Sequence, residues 1–232
     1  MNHLMLRHFL TSGLMMASAL TLLAGCGNAA SPKPQPKPAS LASGRNLRWP
    51  KPPAMAIDTS DVYQATVNTT AGSFVIHLFT KHDPVAVNNF VFLARHRFFN
   101  GDIIFRVIKP FMFQTGDPNN IGTGGPGYEW NGELPISFPY QPGIVAMANA
   151  NNPNTNGSQF FVCTGTESDS LNSDPIYTEL GRVTSGMPVV QSIASGAVKT
   201  NPVTGEDSYP VHPVTIDSIT IQQSPSGPPD VS

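Results

Sequence analysis

Charge and cysteine are both scarce in this 232-residue chain. Charged residues make up 12% of it, with 13 Lys and Arg against 15 Asp and Glu, for a formal net charge of −2. Nucleic-acid binding depends on a basic face, and without a basic excess no nucleic-acid partner is expected. The two cysteines, Cys26 and Cys163, exclude a disulfide framework, so folding must rest on packing.

The apolar run near the N-terminus, residues 9–24, is too short to span a bilayer. It has about 16 residues, whereas a spanning helix needs roughly 20, and its length suits the apolar region of a signal peptide. The run ends in Leu23-Ala24-Gly25-Cys26, which resembles the lipobox of bacterial lipoproteins. That resemblance implies a lipoprotein signal peptide over 1–25, a diacylglyceryl group on Cys26 and a lipid bilayer as a partner. An ordinary cleaved signal with an incidental Cys26 is the alternative.

Proline separates this leader from the rest of the chain. Residues 31–38 alternate Pro with polar residues, a pattern typical of a stiff polyproline II spacer. We therefore expect a Pro-rich, flexible tether over 26–55 that holds an exported domain off the membrane, outside the cytoplasm. One domain is expected over 56–222, and the tail over 223–232 is expected to be disordered.

Short alternating runs dominate the predicted domain. Residues 63–67 and 74–79 alternate on either side of a turn at 68–72, which predicts a hairpin. Asp83-Pro84 predicts a helix start with Asp83 as N-cap, and a second helix is expected near Met187. Further short strands are expected at 103–108, 111–114, 143–148, 159–163 and 214–221. Many strands with only two helices favour a closed β-barrel or a sandwich.

Several common kinds of site have no support in the sequence. The segment 122–127 matches G-x-G-x-x-G, but Pro126 lies inside it and no helix pattern follows, so we interpret it as a surface loop. The six His residues are scattered without metal-ligand spacing, so no metal is expected. Cys163 lies in an apolar strand, which favours a buried, inert thiol over a nucleophile.

Two segments combine aromatic, amide and cationic residues in an unusual way. Residues 105–118 place Arg and Gln among Phe and Met, and residues 147–162 place small and amide residues before two Phe. Folded as strand, turn and strand, such segments would form a shallow apolar pocket with a few polar donors, a design that suits a bound peptide.

These segments resemble the signature stretches of the cyclophilins, the cyclosporin-binding peptidyl-prolyl isomerases. The stretches F-M-x-Q-x-G-D, G-T-G-G, M-A-N-A and N-T-N-G-S-Q-F-F occur here in the order and spacing of that family. The likeness runs from the first hairpin to the last strand. It implies a mainly β fold, a closed eight-stranded antiparallel β-barrel capped by two α-helices.

The resemblance also carries over a set of site residues. It implies a catalytic set of Arg106, Phe111 and Gln114. It implies a substrate-binding set, for the proline ring and the peptide, of Met112, Ala148, Asn149, Phe161, Leu171 and Tyr177. Taken without the family, Phe111 and Phe161 would suit an ordinary barrel core, and Arg106 a surface salt bridge.

The implied function is peptidyl-prolyl cis-trans isomerisation of proline-containing polypeptides, in support of the folding of exported proteins. A binding module or holdase that grips such segments without useful turnover is the alternative. Ser170 stands where many eukaryotic relatives carry a Trp that packs against cyclosporin, so cyclosporin is expected to bind weakly. The reaction needs no cofactor, and the chain is expected to be a monomer.

Overall fold

The computed structural model describes residues 47–225, so the predicted signal peptide, Cys26 and most of the tether lie outside the described residues. Its α-helices are α1 (Pro84–Arg95) and α2 (Met187–Ala194), and a 3-10 helix spans Thr166–Ser173. Its strands are β1 (Val62–Thr69), β2 (Gly72–Leu78), β3 (Arg106–Ile108), β4 (Met112–Thr115), β5 (Ile144–Met147), β6 (Phe160–Cys163), β7 (Glu179–Ser185), β8 (Val198–Thr200), β9 (Asp207–Pro210) and β10 (Ile216–Ser224). Eight strands form one antiparallel sheet in the order β10–β1–β2–β7–β5–β6–β4–β3, and β8 pairs with β9 alone. The predicted mainly β class and both predicted helices are confirmed.

The sheet curls into a half-barrel that is not closed, so the predicted closed barrel is wrong. Its edge strands, β10 and β3, form no ladder with each other in the described range, and an isolated bridge from Ile103 to Thr215 spans the gap. Antiparallel pairing continued from that bridge would set β3 opposite residues 210–212, rather than opposite β10. The register of the two edges therefore keeps the sheet open.

The predicted first hairpin is confirmed, and its strands are central to the sheet. Tyr63, Ala65 and Val67 are buried in β1, while the residues between them are half-buried. β1 pairs with β2 across the predicted turn and with β10 on its other side. The alternation of period 2 thus gives β1 one face against the core.

Strand β7 lies between β2 and β5, yet no sequence pattern predicts it. It carries Glu179, Gly181 and Arg182, which break any apolar alternation. A Cβ at Gly181 would lie 2.2 Å from the carbonyl oxygen of His77 on β2. Glycine is therefore required for β2 and β7 to approach, a tertiary constraint that propensity does not reveal.

Helix α1 begins where the sequence predicts, but a different side chain caps it. Asp83 occupies the N-cap position without a side-chain cap hydrogen bond. Instead the carboxylate of Glu133 accepts from the backbone N–H groups of Val85 at 3.0 Å and Ala86 at 2.9 Å. Asp83 is buried, and that burial, with the charges of Glu179 and Glu133, raises the pKa of its carboxyl to about 8.

The described part of the predicted tether packs against the domain. The Trp49 ring lies edge-on to Phe92 of helix α1, with 5.1 Å between ring centroids, and the backbone N–H of Trp49 donates to the carbonyl of Pro126 at 2.8 Å. Asn88 of α1 accepts from the N–H of Ala56 at 2.9 Å. Residues 47–57 therefore run along α1 to the loop at 122–127. Within 47–225, no helix has the length and apolarity to cross a membrane.

Candidate active site

Two of the predicted catalytic residues face each other on neighbouring strands. Arg106 on β3 and Gln114 on β4 are register partners, and Nη1 of Arg106 donates to Oε1 of Gln114 at 3.2 Å. The Gln114 amide in turn donates to Oε1 of Gln159 at 2.9 Å. Gln159 donates to the carbonyls of Gly122 at 3.1 Å and Gly124 at 2.9 Å. A chain of side-chain hydrogen bonds therefore links Arg106 to the glycine-rich loop.

A cavity of about 1080 Å³ joins four of the predicted site residues. Arg106, Gln114, Ala148 and Asn149 all lie on its wall. The loop at 122–127 forms another part of that wall, so the segment interpreted from sequence as a surface loop borders the site. The two segments singled out in the sequence thus meet at one place, as the resemblance implies.

The other five predicted residues form an apolar cluster next to this cavity. Phe111, Met112, Phe161 and Tyr177 belong to one buried cluster, and Leu171 packs against it. The rings of Phe161 and Tyr177 are perpendicular, with centroids 5.4 Å apart. Ala148 belongs to both the cluster and the cavity wall. The residues predicted for the proline pocket are therefore gathered together, but they do not line the cavity.

Burial dominates the ionisation of the groups around this cluster. It raises the pKa of the Tyr177 phenol to about 12, against a smaller lowering by the charge of Arg106. Burial likewise raises the pKa of the Cys163 thiol to about 12, so Cys163 is a neutral thiol at pH 7, as the sequence favours. Within the described range, no group of His, Cys, Asp and Glu is arranged to hold a metal ion.

Asn149, a residue of the cavity wall, has a buried acceptor without a partner. Its Nδ2 donates to the carbonyl of Ile176 at 2.8 Å, which fixes the amide. Its Oδ1 is buried and has no hydrogen-bond partner. The backbone N–H of Ala148 donates to the carbonyl of Gln159 at 2.9 Å, so this N–H is already used within the sheet. A buried acceptor without a partner is unfavourable, and a bound N–H group would relieve it.

Two residues of the site were not found from the sequence. Glu206 forms an ion pair with Arg106, and Gln159 orients Gln114; both line the cavity. Gln159 lies inside the N-T-N-G-S-Q-F-F stretch, which could have indicated it. Glu206 lies far along the chain in a Gly- and Pro-containing loop, where no pattern distinguishes it from a solvated surface charge.

The wall of the cavity presents a guanidinium, side-chain amides and backbone groups, together with hydroxyls and the carboxylates of Glu129 and Glu206. These groups donate and accept hydrogen bonds, and the Ser158 hydroxyl already donates to the carbonyl of Gly116 at 2.7 Å. Beside them lies the apolar cluster of Phe111, Met112, Phe161 and Tyr177. The arrangement therefore suits the binding and polarisation of a peptide.

Comparison with known proteins agrees with this geometry. The family model described as cyclophilin type peptidyl-prolyl cis-trans isomerase matches residues 64–221. The chain is 41% identical over 176 residues to a probable peptidyl-prolyl cis-trans isomerase A of Mycobacterium leprae, covering 68% of this chain and 91% of that protein. It is 42% identical over 153 residues to peptidyl-prolyl cis-trans isomerase-like 1 of Aspergillus oryzae, covering 64% of this chain and 89% of that protein.

Two solved structures extend the comparison. A cyclophilin type peptidyl-prolyl cis-trans isomerase of Cryptosporidium parvum matches with a TM-score of 0.61 and 28% identity, covering 71% of this chain and 99% of that one. The same enzyme in the presence of the dipeptide Ala-Pro matches with a TM-score of 0.60 and 27% identity, covering 68% and 98%. With the family model and the curated relatives, these matches show that the chain belongs to the cyclophilin-type peptidyl-prolyl cis-trans isomerases.

Proposed function

We propose that Arg106 catalyses rotation about X-Pro bonds by donating a hydrogen bond to the proline nitrogen. The position of its guanidinium carries this proposal. That group lies on the cavity wall, bonded to Gln114, and close enough to Tyr177 for its charge to lower the pKa of the phenol. A cation thus lies between a peptide-sized cavity and the apolar cluster proposed for the proline ring.

Isomerisation of an X-Pro bond requires little more than a hydrogen-bond donor at the proline nitrogen. Amide resonance sets a rotation barrier of about 18–20 kcal/mol, and trans is favoured over cis by only about 0.5–1 kcal/mol for X-Pro. As the bond twists, the proline nitrogen regains its lone pair. A hydrogen bond to that lone pair exists only near the transition state, so it lowers the barrier without tightening the ground state. Arg suits the role because it is always charged and its donors are rigid.

The proline ring must reach residues that are now covered. Phe111 is 1% exposed, and Met112 and Phe161 are fully buried. A ring can touch them only after a covering side chain moves. Tyr177 lies edge-on to Phe161, and we assign it as that cover. Rotation of Tyr177 away from Phe161 would open a site lined by Phe111, Met112, Phe161 and Leu171.

The peptide on either side of the ring has polar partners in this proposal. Oδ1 of Asn149 would accept a peptide N–H, and Ala148 would line the path of the backbone. Gln114 is already held by Gln159, so it orients Arg106. The solved relative studied with Ala-Pro supports a proline-containing substrate.

The test of activity is exchange NMR on an Ala-Pro peptide with catalytic amounts of the protein. We expect the cis-trans exchange rate to rise in proportion to enzyme concentration, with the cis population unchanged. A module that only grips proline segments would broaden the peptide signals without accelerating exchange. That result would contradict the proposed catalytic site and favour the holdase alternative.

We further propose that the enzyme is exported, anchored through Cys26 in a lipid bilayer, and assists the folding of exported proteins. The lipobox-like stretch before Cys26 and the proline-rich segment after it support this. Cys26→Ser is expected to move the protein out of the membrane fraction or leave it unprocessed. Cys163→Ala is the matched control and should keep it there. An unmodified mature N-terminus other than Cys26, found by mass spectrometry, would overturn the anchoring proposal.

A further inference from the structure

Arg106 has a second partner, Glu206, in the loop between β8 and β9. Nε of Arg106 donates to Oε2 of Glu206 at 2.6 Å, and Nη2 donates to Oε1 at 2.8 Å. The side chains are 7% and 11% exposed. A bidentate, charge-assisted pair shielded from water fixes both the position and the plane of a guanidinium.

A count of N–H groups shows what this pair leaves for a substrate. An Arg side chain has five, one on Nε and two on each Nη. Glu206 accepts one from Nε and one from Nη2, and Gln114 accepts one from Nη1. One N–H on each Nη is left, on a side chain that borders the cavity. Glu206 and Gln114 thus hold three N–H groups of the guanidinium, and two N–H groups remain as donors.

The loop that carries Glu206 is closed by its own hydrogen bonds. The N–H of Asn201 donates to the carbonyl of Glu206 at 2.7 Å, and the N–H of Gly205 donates to the carbonyl of Asn201 at 2.8 Å. Gly205 has a φ of +73°, a left-handed conformation that glycine adopts without strain. The carboxylate is therefore presented from a tight, internally bonded turn.

We propose that Glu206 is a positioning residue for isomerisation, acting through Arg106; the proposal rests on the catalytic role assigned to Arg106 above. A long side chain on its own samples many rotamers, and holding it in one geometry before the reaction spares the catalytic step that entropy loss. Glu206 fixes the guanidinium so that one of its two remaining N–H groups meets the proline nitrogen as the bond twists.

The test is a double-mutant cycle in kcat for exchange of an Ala-Pro peptide. Glu206→Ala is expected to lower kcat about tenfold, since misplacing a catalytic group by about 1 Å can cost about a hundredfold and Gln114 still holds part of the guanidinium. KM is expected to change by less than about twofold, because the apolar cluster is untouched. In an Arg106→Ala background, Glu206→Ala is expected to have no further effect, because the side chain it positions is absent.

Asp207→Ala is the matched control. It removes the same charge from the same hairpin, but the Asp207 carboxylate accepts from Oγ1 of Thr200 at 2.5 Å instead of contacting Arg106. It is expected to keep the wild-type kcat. Thermal unfolding of all variants separates lost activity from lost fold.

The outcomes distinguish the positioning role of Glu206 from the catalytic role of Arg106. If Glu206→Ala keeps or raises kcat while Arg106→Ala lowers it, the positioning role is wrong and the catalytic role of Arg106 stands. An equal loss from Glu206→Ala in both backgrounds would make Glu206 merely structural and overturn the proposal. If Arg106→Ala has no effect, both assignments fail.

Discussion

The hydroxyl of Tyr140 forms hydrogen bonds with both backbone polar groups of Tyr177. It donates to the Tyr177 carbonyl at 2.5 Å and accepts from the Tyr177 N–H at 3.0 Å. Both residues are buried, so neither backbone group has water as a substitute. A single side-chain oxygen thus fixes the segment that carries the proposed cover of the proline site.

Tyr140→Phe is therefore expected to destabilise the fold by about 1–3 kcal/mol, because it leaves a buried N–H and a buried carbonyl without partners. Urea denaturation measures this. Tyr63→Phe is the control: its hydroxyl accepts at 3.1 Å from the N–H of the exposed Asp58, which water can satisfy. Equal losses in the two variants would show that the Tyr140 hydroxyl does not hold the Tyr177 backbone.

The sequence predicts the part of the site that is local in the chain. Arg106 and Gln114 belong to adjacent strands joined by a short turn, so their spacing already sets them opposite each other. Glu206 is brought to Arg106 only by the packing of the β8–β9 hairpin beside β3, which no spacing encodes. The contact of Phe161 with Tyr177, the proposed cover, is also tertiary, because it joins two separate segments of the chain.

The fold divides in the same way. Alternation of apolar residues and turn residues predict β1, β2 and both helices, because the signals for these elements lie within the elements themselves. Strand β7 has no such pattern and is fixed by close approach at Gly181. The open edge between β3 and β10 follows from the register of the two strands, which is set by the isolated bridge between Ile103 and Thr215.

Stability is expected to fall as pH rises from about 4 to about 8. Burial raises the pKa of Asp83 from 3.8 to about 8 in the folded protein, whereas the unfolded chain ionises near the ordinary value. Between these values the folded state binds the extra proton, so raising the pH favours unfolding. Urea denaturation at a series of pH values measures the free energy of unfolding.

Asp83→Asn is expected to flatten this decline, since the amide cannot ionise. Burial also raises the pKa values of Glu133 and Glu179, so part of the decline should persist. Asp58→Asn is the control and should keep the decline. Hydrogen bonds from Ser60 lower the pKa of that exposed carboxyl, so Asp58 does not contribute to a loss of stability between these pH values. A decline of the same size in wild type and Asp83→Asn would contradict the assignment.

Cyclosporin is expected to bind about 10–1,000-fold more weakly than to relatives with a Trp at the position of Ser170. The hydroxyl of Ser170 donates to the carbonyl of Glu167 at 2.7 Å, so it is bonded within its own 3-10 helix. Ser170→Trp is expected to tighten binding in an inhibition titration. Ser173→Trp places the same indole one turn away and should not. Nanomolar inhibition of the unmodified protein would contradict this prediction.

The most direct test of the account is kcat for Arg106→Lys and Arg106→Ala on an Ala-Pro peptide. Both are expected to fall about 10–150-fold, the equivalent of one charge-assisted hydrogen bond of about 1.5–3 kcal/mol in the transition state. Arg106→Lys keeps a positive charge beside Glu206, so it separates the loss of the guanidinium fork from the loss of the ion pair. Unchanged turnover in both variants, with the fold intact, would contradict the claim that Arg106 catalyses the rotation.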